Sequence, residues 1–300
     1  MQAKFYGVIV PMITPFNDDY SVDFNAIEWL VNMLVSKGVH GIFPYSTTGE
    51  FVHLKPEEGV KLVEKVLEFA RGKTKIIPGI SANTTLISIE LGQRMCDLGV
   101  DGVIVTPPYF FKLNDAAMYE HFSMIAEKVD LPIIVYNIPA ATGNPIPVHI
   151  YEKLASEYSN IAGAKITYDS TAYMRNLITT IKPLRKDFAI LTGLDDHLLN
   201  TLILGGDGGI MACANFAPEI HLNLYKAFNE GKISEAIEWH KKLAQLTQIY
   251  NFATSFPSAI KTVFKLLKAP IKPISRPPLL QEPPEIEMKI REILQKVGIL

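Results

Sequence analysis

Short runs rich in valine and isoleucine alternate along this chain with stretches whose apolar residues recur every three or four positions. The first run, Tyr6-Gly7-Val8-Ile9-Val10, reads as a strand closed by Pro11. Helical spacing follows from Phe24 through Ile27, Leu30, Val31 and Leu34, and Gly38 stands where a C-cap belongs. Further strands are predicted at 41–45, 75–80, 102–105, 132–136, 161–167, 188–191 and 208–212. Helices are predicted from Pro56-Glu57-Glu58, over 85–98, 116–129 and 150–156, from the caps Asp169-Ser170 through 178, and over 197–204. Strands joined by helices become parallel with right-handed crossovers, so eight such units predict an α/β fold, a closed (β/α)8 TIM barrel. An open doubly wound sheet would use the same units, but no Gly-rich dinucleotide fingerprint follows the first strand.

Beyond Pro218 the pattern contains no further strand; helical runs fall at 219–228, 233–250, 259–267 and 285–297. Pro270, Pro273, Pro277 and Pro278 fix an extended connection before the last of them. The expected organisation is a barrel over 1–225 followed by a C-terminal helical extension over 226–300.

Composition narrows the function classes. Of 300 residues, 48% are hydrophobic and 20% charged, enough apolar material for a large core. Twenty-nine basic residues against 31 acidic ones give no electrostatic case for nucleic acid or an anionic membrane. Two cysteines, Cys96 and Cys213, make no disulfide framework and fit no metal spacing, which points to a reducing cytoplasm. The first sixteen residues, broken by Pro11 and Pro15, do not read as a signal peptide, and no window approaches a membrane span.

In a barrel the C-terminal ends of the strands carry the chemistry. Those positions here hold Thr14, Thr47, Thr48, Tyr109, Tyr136, Lys165, Thr167, Asp195 and Asn215. No paired carboxylates for glycoside chemistry and no metal-ligand cluster occur among them, so no metal is expected. Lys165 ends the buried run Ile161-Ala162-Gly163-Ala164, where it must pair with a carboxylate, snorkel to water, or sit neutral through desolvation. A neutral amine attacks carbonyl carbons. Tyr136 sits one strand earlier, and adjacent strand ends lie about 5 Å apart, so its phenol is either a proton donor at an imine or a core aromatic. Thr47-Thr48-Gly49 offers hydroxyl and backbone donors to one anion, or a simple capped turn. Asp207, among four glycines, reads as a tight turn, and His197 as an exposed helix residue.

Thr14-Pro15-Phe16, Thr47-Thr48-Gly49-Glu50, Thr106-Pro107-Pro108-Tyr109, Tyr136-Asn137-Ile138-Pro139, Gly163-Ala164-Lys165, Gly206-Asp207-Gly208-Gly209-Ile210 and Arg276-Pro277-Pro278 occur in that order. In this the chain resembles the dihydrodipicolinate synthase and N-acetylneuraminate lyase family of pyruvate-dependent class I aldolases. The resemblance implies a barrel with a C-terminal helical extension, a homotetramer, and no cofactor beyond an imine between Lys165 and pyruvate. It further implies that Tyr136 shuttles protons, that Thr47 and Tyr109 complete its relay, and that Thr48 with the backbone near Ile210 holds the pyruvate carboxylate.

Synthases of the lysine pathway carry an arginine where this chain has Ala141, in Pro139-Ala140-Ala141-Thr142-Gly143. Without that guanidinium, much of the recognition of an amino-acid carboxylate should go. The Ala-Thr-Gly ending is similar to archaeal-type 2-keto-3-deoxygluconate aldolases, in which reading Thr142, Thr167, Gly193 and Asp195 line the polyol side. Lys112 would then accept a substrate phosphate or stand as a solvated loop lysine. The alternatives are dihydrodipicolinate synthase, N-acetylneuraminate lyase, or a non-catalytic ligand-binding barrel.

Overall fold

The computed structural model describes residues 3–300. Its strands are β1 (Gly7–Pro11), β2 (Gly41–Phe43), β3 (Lys75–Ile76), β4 (Val103–Val105), β5 (Ile133–Asn137), β6 (Ile161–Ile166), β7 (Ala189–Thr192) and β8 (Gly208–Ile210). Helices separate them, and four more follow β8: Pro218–Asn229, Ile233–Leu246, Phe256–Leu266 and Pro284–Val297. This is the (β/α)8 class of fold with C-terminal helices, as the strand–helix alternation predicts.

The chain divides into two compact units, one holding the N-terminal residues through Gly7 with Lys75–Ile210, the other Val8–Thr74 with Met211–Leu300. In the first, β4, β5, β6, β7 and β8 pair in parallel in that order. These strands are buried along their whole length, hence their mainly apolar character, with polar residues such as Asn137, Lys165 and Thr192 at their C-terminal ends. Gly163 lets β6 approach β7: a Cβ there would lie 2.7 Å from the Ala189 carbonyl oxygen. Side-chain caps start the intervening helices, Thr84 accepting from Ile87 N, Asn114 from Ala117 N and Ser170 from Tyr173 N. The tight turn before β8 falls at 204–205, and the carboxylate of Asp207 after it accepts from both the Lys182 ammonium and the Ile190 amide.

In the second unit β1 pairs in parallel with β2, Val10 opposite Ile42. Asp23 caps the helix Phe24–Lys37, and Gly38 ends it at φ +79° in the expected left-handed C-cap. Thr14 and Asn215 are buried with their side chains committed to backbone: Thr14 donates to Gly49 O at 2.7 Å, and Asn215 accepts from Ile13 N at 3.0 Å. They brace the strand ends.

Several boundaries differ from the sequence reading. The run 75–80 is a strand only at Lys75–Ile76, because Pro78 has no N–H to donate; pairing resumes as a single bridge between Gly79 and Ile104. The run 233–250 ends its α-helix at Leu246 and closes with a 3₁₀ segment, Thr247–Asn251. Pro139–Thr142 forms one helical turn that no periodicity announces. His197 is half-buried against the Asp169 carboxylate at 3.2 Å, not exposed, because it sits in the 3₁₀ turn Asp195–His197 before the helix Leu198–Ile203.

Candidate active site

Parallel pairing of β5 and β6 sets Tyr136 opposite Lys165, and that of β6 and β7 sets Lys165 opposite Leu191. Lys165 is 3% exposed. Burial pulls its ammonium down to a pKa of about 7, opposed by the charge of Asp195. The unprotonated, nucleophilic amine is therefore much more accessible near neutral pH than in a free lysine. The Lys165 Nζ lies 3.9 Å from the centroid of the Tyr136 ring, whose face favours the cation when the amine is protonated.

Thr167, just beyond β6, donates its hydroxyl to the Tyr136 phenol oxygen at 3.1 Å. Its own amide donates to Asn137 O, and Gly193 N donates to Ile166 O at 2.7 Å, so backbone fixes both residues. Gly193 has no room for a side chain: a Cβ would fall 1.9 Å from Thr167 Oγ1 and 3.0 Å from Lys165 Cε. Asp195 is buried, while its neighbour Asp196 is exposed. Two adjacent carboxylates thus have different environments, and only Asp195 acts on Lys165.

Lys165, Tyr136, Thr167, Gly193 and Asp195 form one cluster. Tyr109, half-buried in the loop after β4, has its amide fixed by Asn83 Oδ1 at 3.2 Å and its phenol pKa raised by burial. Ile210 ends β8, fully buried. Thr142 is buried, but its hydroxyl is spent inside its own turn, donating to Ile138 O at 3.1 Å and accepting from Asn144 N at 3.2 Å. Lys112 stands exposed beside Phe110 and Phe111.

Thr47, Thr48 and Gly49 belong to the second unit, in the loop after β2. Ser46 Oγ accepts from Gly49 N at 2.9 Å, and a Cβ on Gly49 would lie 2.7 Å from Met12 O, so the loop is tightly wound and glycine-dependent. Thr48 is buried there and Thr47 half-buried.

Two asparagines were not foreseen. Asn137, buried at the end of β5, accepts from Ile146 N at 3.2 Å and so shapes the segment after the strand. Asn144 makes a larger set of backbone contacts. An amide inside an apolar strand was the available signal for Asn137; Asn144 gave none.

A nucleophilic amine, a phenol with a hydroxyl donor and one carboxylate can form an imine and move protons around it. Among the described residues no group of three His, Cys, Asp or Glu is placed to hold a metal ion.

The model of the dihydrodipicolinate synthetase family matches residues 4–297. An uncharacterized DapA-like lyase of Thermofilum pendens is 56% identical over 300 residues, covering 100% of this chain and 99% of its own. The Escherichia coli K12 protein YjhH, a probable 2-dehydro-3-deoxy-D-pentonate aldolase, is 36% identical and covers 99% of each chain. The crystal structure of YagE from the same organism, in complex with pyruvate, superposes with a TM-score of 0.97 at 34% identity, covering 99% of this chain and 100% of that one. YagE is named a putative 2-dehydro-3-deoxy-D-gluconate aldolase.

Proposed function

The chain belongs to the dihydrodipicolinate synthetase family, and from that membership we propose that it cleaves 2-keto-3-deoxy sugar acids, 2-keto-3-deoxygluconate first among them, into pyruvate and an aldehyde. It is a lyase of the class I aldolase type. The observation that carries the proposal is the buried Lys165 amine packed on Tyr136, whose phenol oxygen accepts from Thr167.

In the proposed cycle the Lys165 nitrogen adds to the keto carbon, and the resulting hydroxyl leaves as water with the Tyr136 phenol proton, giving a protonated imine and a phenolate. The phenolate takes the proton of the C4 hydroxyl as the C3–C4 bond breaks, and that electron pair moves into the protonated imine to give an enamine. The aldehyde departs. The phenol then protonates C3, and water adds to the imine, returning its proton to the phenolate, to release pyruvate and the free lysine. Thr167 holds the phenol in place for these transfers.

The choice of substrate rests on the groups that the resemblance assigns to the aldehyde half. Asp195 is a buried acceptor suited to sugar hydroxyls, Thr167 supplies a hydroxyl, and Ala141 supplies no guanidinium for an amino-acid carboxylate. The names of YjhH and YagE point the same way. The assay is pyruvate release from 2-keto-3-deoxygluconate, run beside condensation of pyruvate with aspartate semialdehyde. Cleavage alone supports the sugar-acid reading; condensation alone reverses it in favour of dihydrodipicolinate synthase.

The remaining roles are proposals from the resemblance. The Thr48 hydroxyl and the amides of its tightly wound loop hold a carboxylate, so Thr48→Val should raise the KM for pyruvate. Thr47 and Tyr109 serve proton transfer. The assembly is a homotetramer in a reducing cytoplasm, and the assembly is checked by mass in solution.

A further inference from the structure

The loop that carries Tyr109 is held chiefly from outside itself. Phe110 and Phe111, which follow Tyr109, are 88% and 76% exposed, so neither anchors the loop in a core. Phe110 adopts φ +97°, a conformation that a non-glycine residue holds only when its surroundings impose it. Those surroundings include the side chain of Asn144, which is 2% exposed. Its Nδ2 donates to Pro108 O and to Phe111 O, both at 2.8 Å, and its Oδ1 accepts from Leu113 N at 2.8 Å. One amide thus satisfies three backbone groups spread across 108–113. With both amide protons and its oxygen engaged, Asn144 has little capacity left for a substrate.

The same residue is tied to the turn after β5. Asn144 N donates to Thr142 Oγ1 at 3.2 Å, and Thr142 Oγ1 donates to Ile138 O, closing a turn in which Gly143 takes φ +69°. Pro145 follows and disfavours a helical conformation at Asn144. The Tyr109 loop and the Pro139–Thr142 turn are therefore joined through a single side chain.

We infer that Asn144 is a positioning residue: it locks the Tyr109 loop to the turn after β5 and so sets where the Tyr109 phenol stands for the proton transfer proposed for it, while leaving the affinity of Lys165 for pyruvate untouched. This rests on the aldolase reading. A carboxylate at this position would face two carbonyl oxygens with a third acceptor, and a leucine would leave all three backbone groups without this partner.

The test uses Asn144→Leu and the near-isosteric Asn144→Asp in the full chain. Chymotrypsin cleavage after Phe110 or Phe111 should quicken by about tenfold or more, with the unfolding temperature close to wild type. Cleavage of 2-keto-3-deoxygluconate should slow by roughly tenfold to a hundredfold, in kcat more than in KM. Borohydride trapping of pyruvate on Lys165 should keep its wild-type concentration dependence. Unchanged loop cleavage with unchanged kcat overturns the inference, as does a pyruvate affinity in the trapping reaction that weakens in step with turnover. Should Asn144→Leu not fold, the same readouts on Asn144→Asp decide. Failure of the aldolase reading is seen separately, as absence of a trapped adduct in the wild-type protein.

Discussion

The hydroxyl of Thr167 donates to the phenol oxygen of Tyr136 at 3.1 Å, one residue beyond the strand that presents Lys165. A donor into that oxygen stabilises the phenolate and leaves the phenol proton directed elsewhere. Replacing Tyr136 by Phe should preserve the borohydride-trapped adduct on Lys165 and slow turnover by about 10²–10⁴-fold. Thr167→Val should slow it less, by about tenfold, because the phenol remains. Wild-type turnover in Tyr136→Phe would remove the phenol from proton transfer.

Imine formation should follow the protonation of Lys165. Burial lowers its pKa from 10.5 to about 7, so the nucleophilic fraction grows as pH rises through about 7 and levels off above it. Rates of pyruvate trapping at limiting pyruvate, measured from pH 5 to 9, should rise and then plateau. A rise continuing toward pH 10 would mean that the amine is not desolvated in solution.

How much of this was visible in the sequence depended on range. Lys165 and Tyr136 were legible because successive β/α units place successive strands side by side, and pairing of β5 with β6 then needs no long-range knowledge. The strand-end rule was less discriminating. It selected Thr14 and Asn215, whose polar groups are absorbed by the backbone turns they brace. It could not show that Thr142 spends its hydroxyl locally, since Thr142 bonds depend on the one-turn helix Pro139–Thr142, too short to leave a period. Asn144 bonds groups 31 to 36 positions away across two loops, a relationship with no local signature.

Gly193 should tolerate nothing larger. A methyl group there would meet Thr167 Oγ1 at 1.9 Å and Lys165 Cε at 3.0 Å, so both side chains must move or the backbone must yield. Gly193→Ala should reduce turnover at least a hundredfold, since small misplacements of catalytic groups carry penalties of about that size. Kinetics of pyruvate release from 2-keto-3-deoxygluconate check this, and near-normal turnover would show that Thr167 and Lys165 have freedom the packing does not suggest.

The Lys165 amine should also cost stability. Its folded-state pKa lies below the free-lysine value of 10.5, so between about 7 and 10.5 the unfolded chain binds more protons and stability rises with pH. Below about 7 both states are protonated and the desolvation penalty is fully present. Lys165→Met, similar in length and uncharged, should therefore raise stability by on the order of a few kcal/mol at pH 6, with the gain shrinking toward pH 10. Denaturant titrations of both proteins at pH 6, 8 and 10 test the sign. A gain that grows with pH would contradict it.

The second unit holds a buried ion pair. Lys261 Nζ donates to Glu50 Oε1 at 2.5 Å with both side chains 0% exposed, although 211 positions separate them. The ammonium also donates to Ile274 O at 2.7 Å and lies 4.3 Å from the Phe16 ring centroid. Glu50 in turn accepts from Arg276 N at 3.0 Å, so the pair ties the segment around 274–276 to the residue that follows Gly49. Removing one partner leaves the other charge buried, a loss of about 3–5 kcal/mol, whereas exchanging both for apolar groups can be close to neutral. Lys261→Met should thus destabilise strongly, and adding Glu50→Gln should recover part of the loss, because the neutral amide costs less to bury than an unpaired carboxylate. Equilibrium unfolding of the two single variants and the double gives the coupling. Purely additive losses would mean that the backbone partners at Ile274 and Arg276, rather than the ion pair, hold this segment in place.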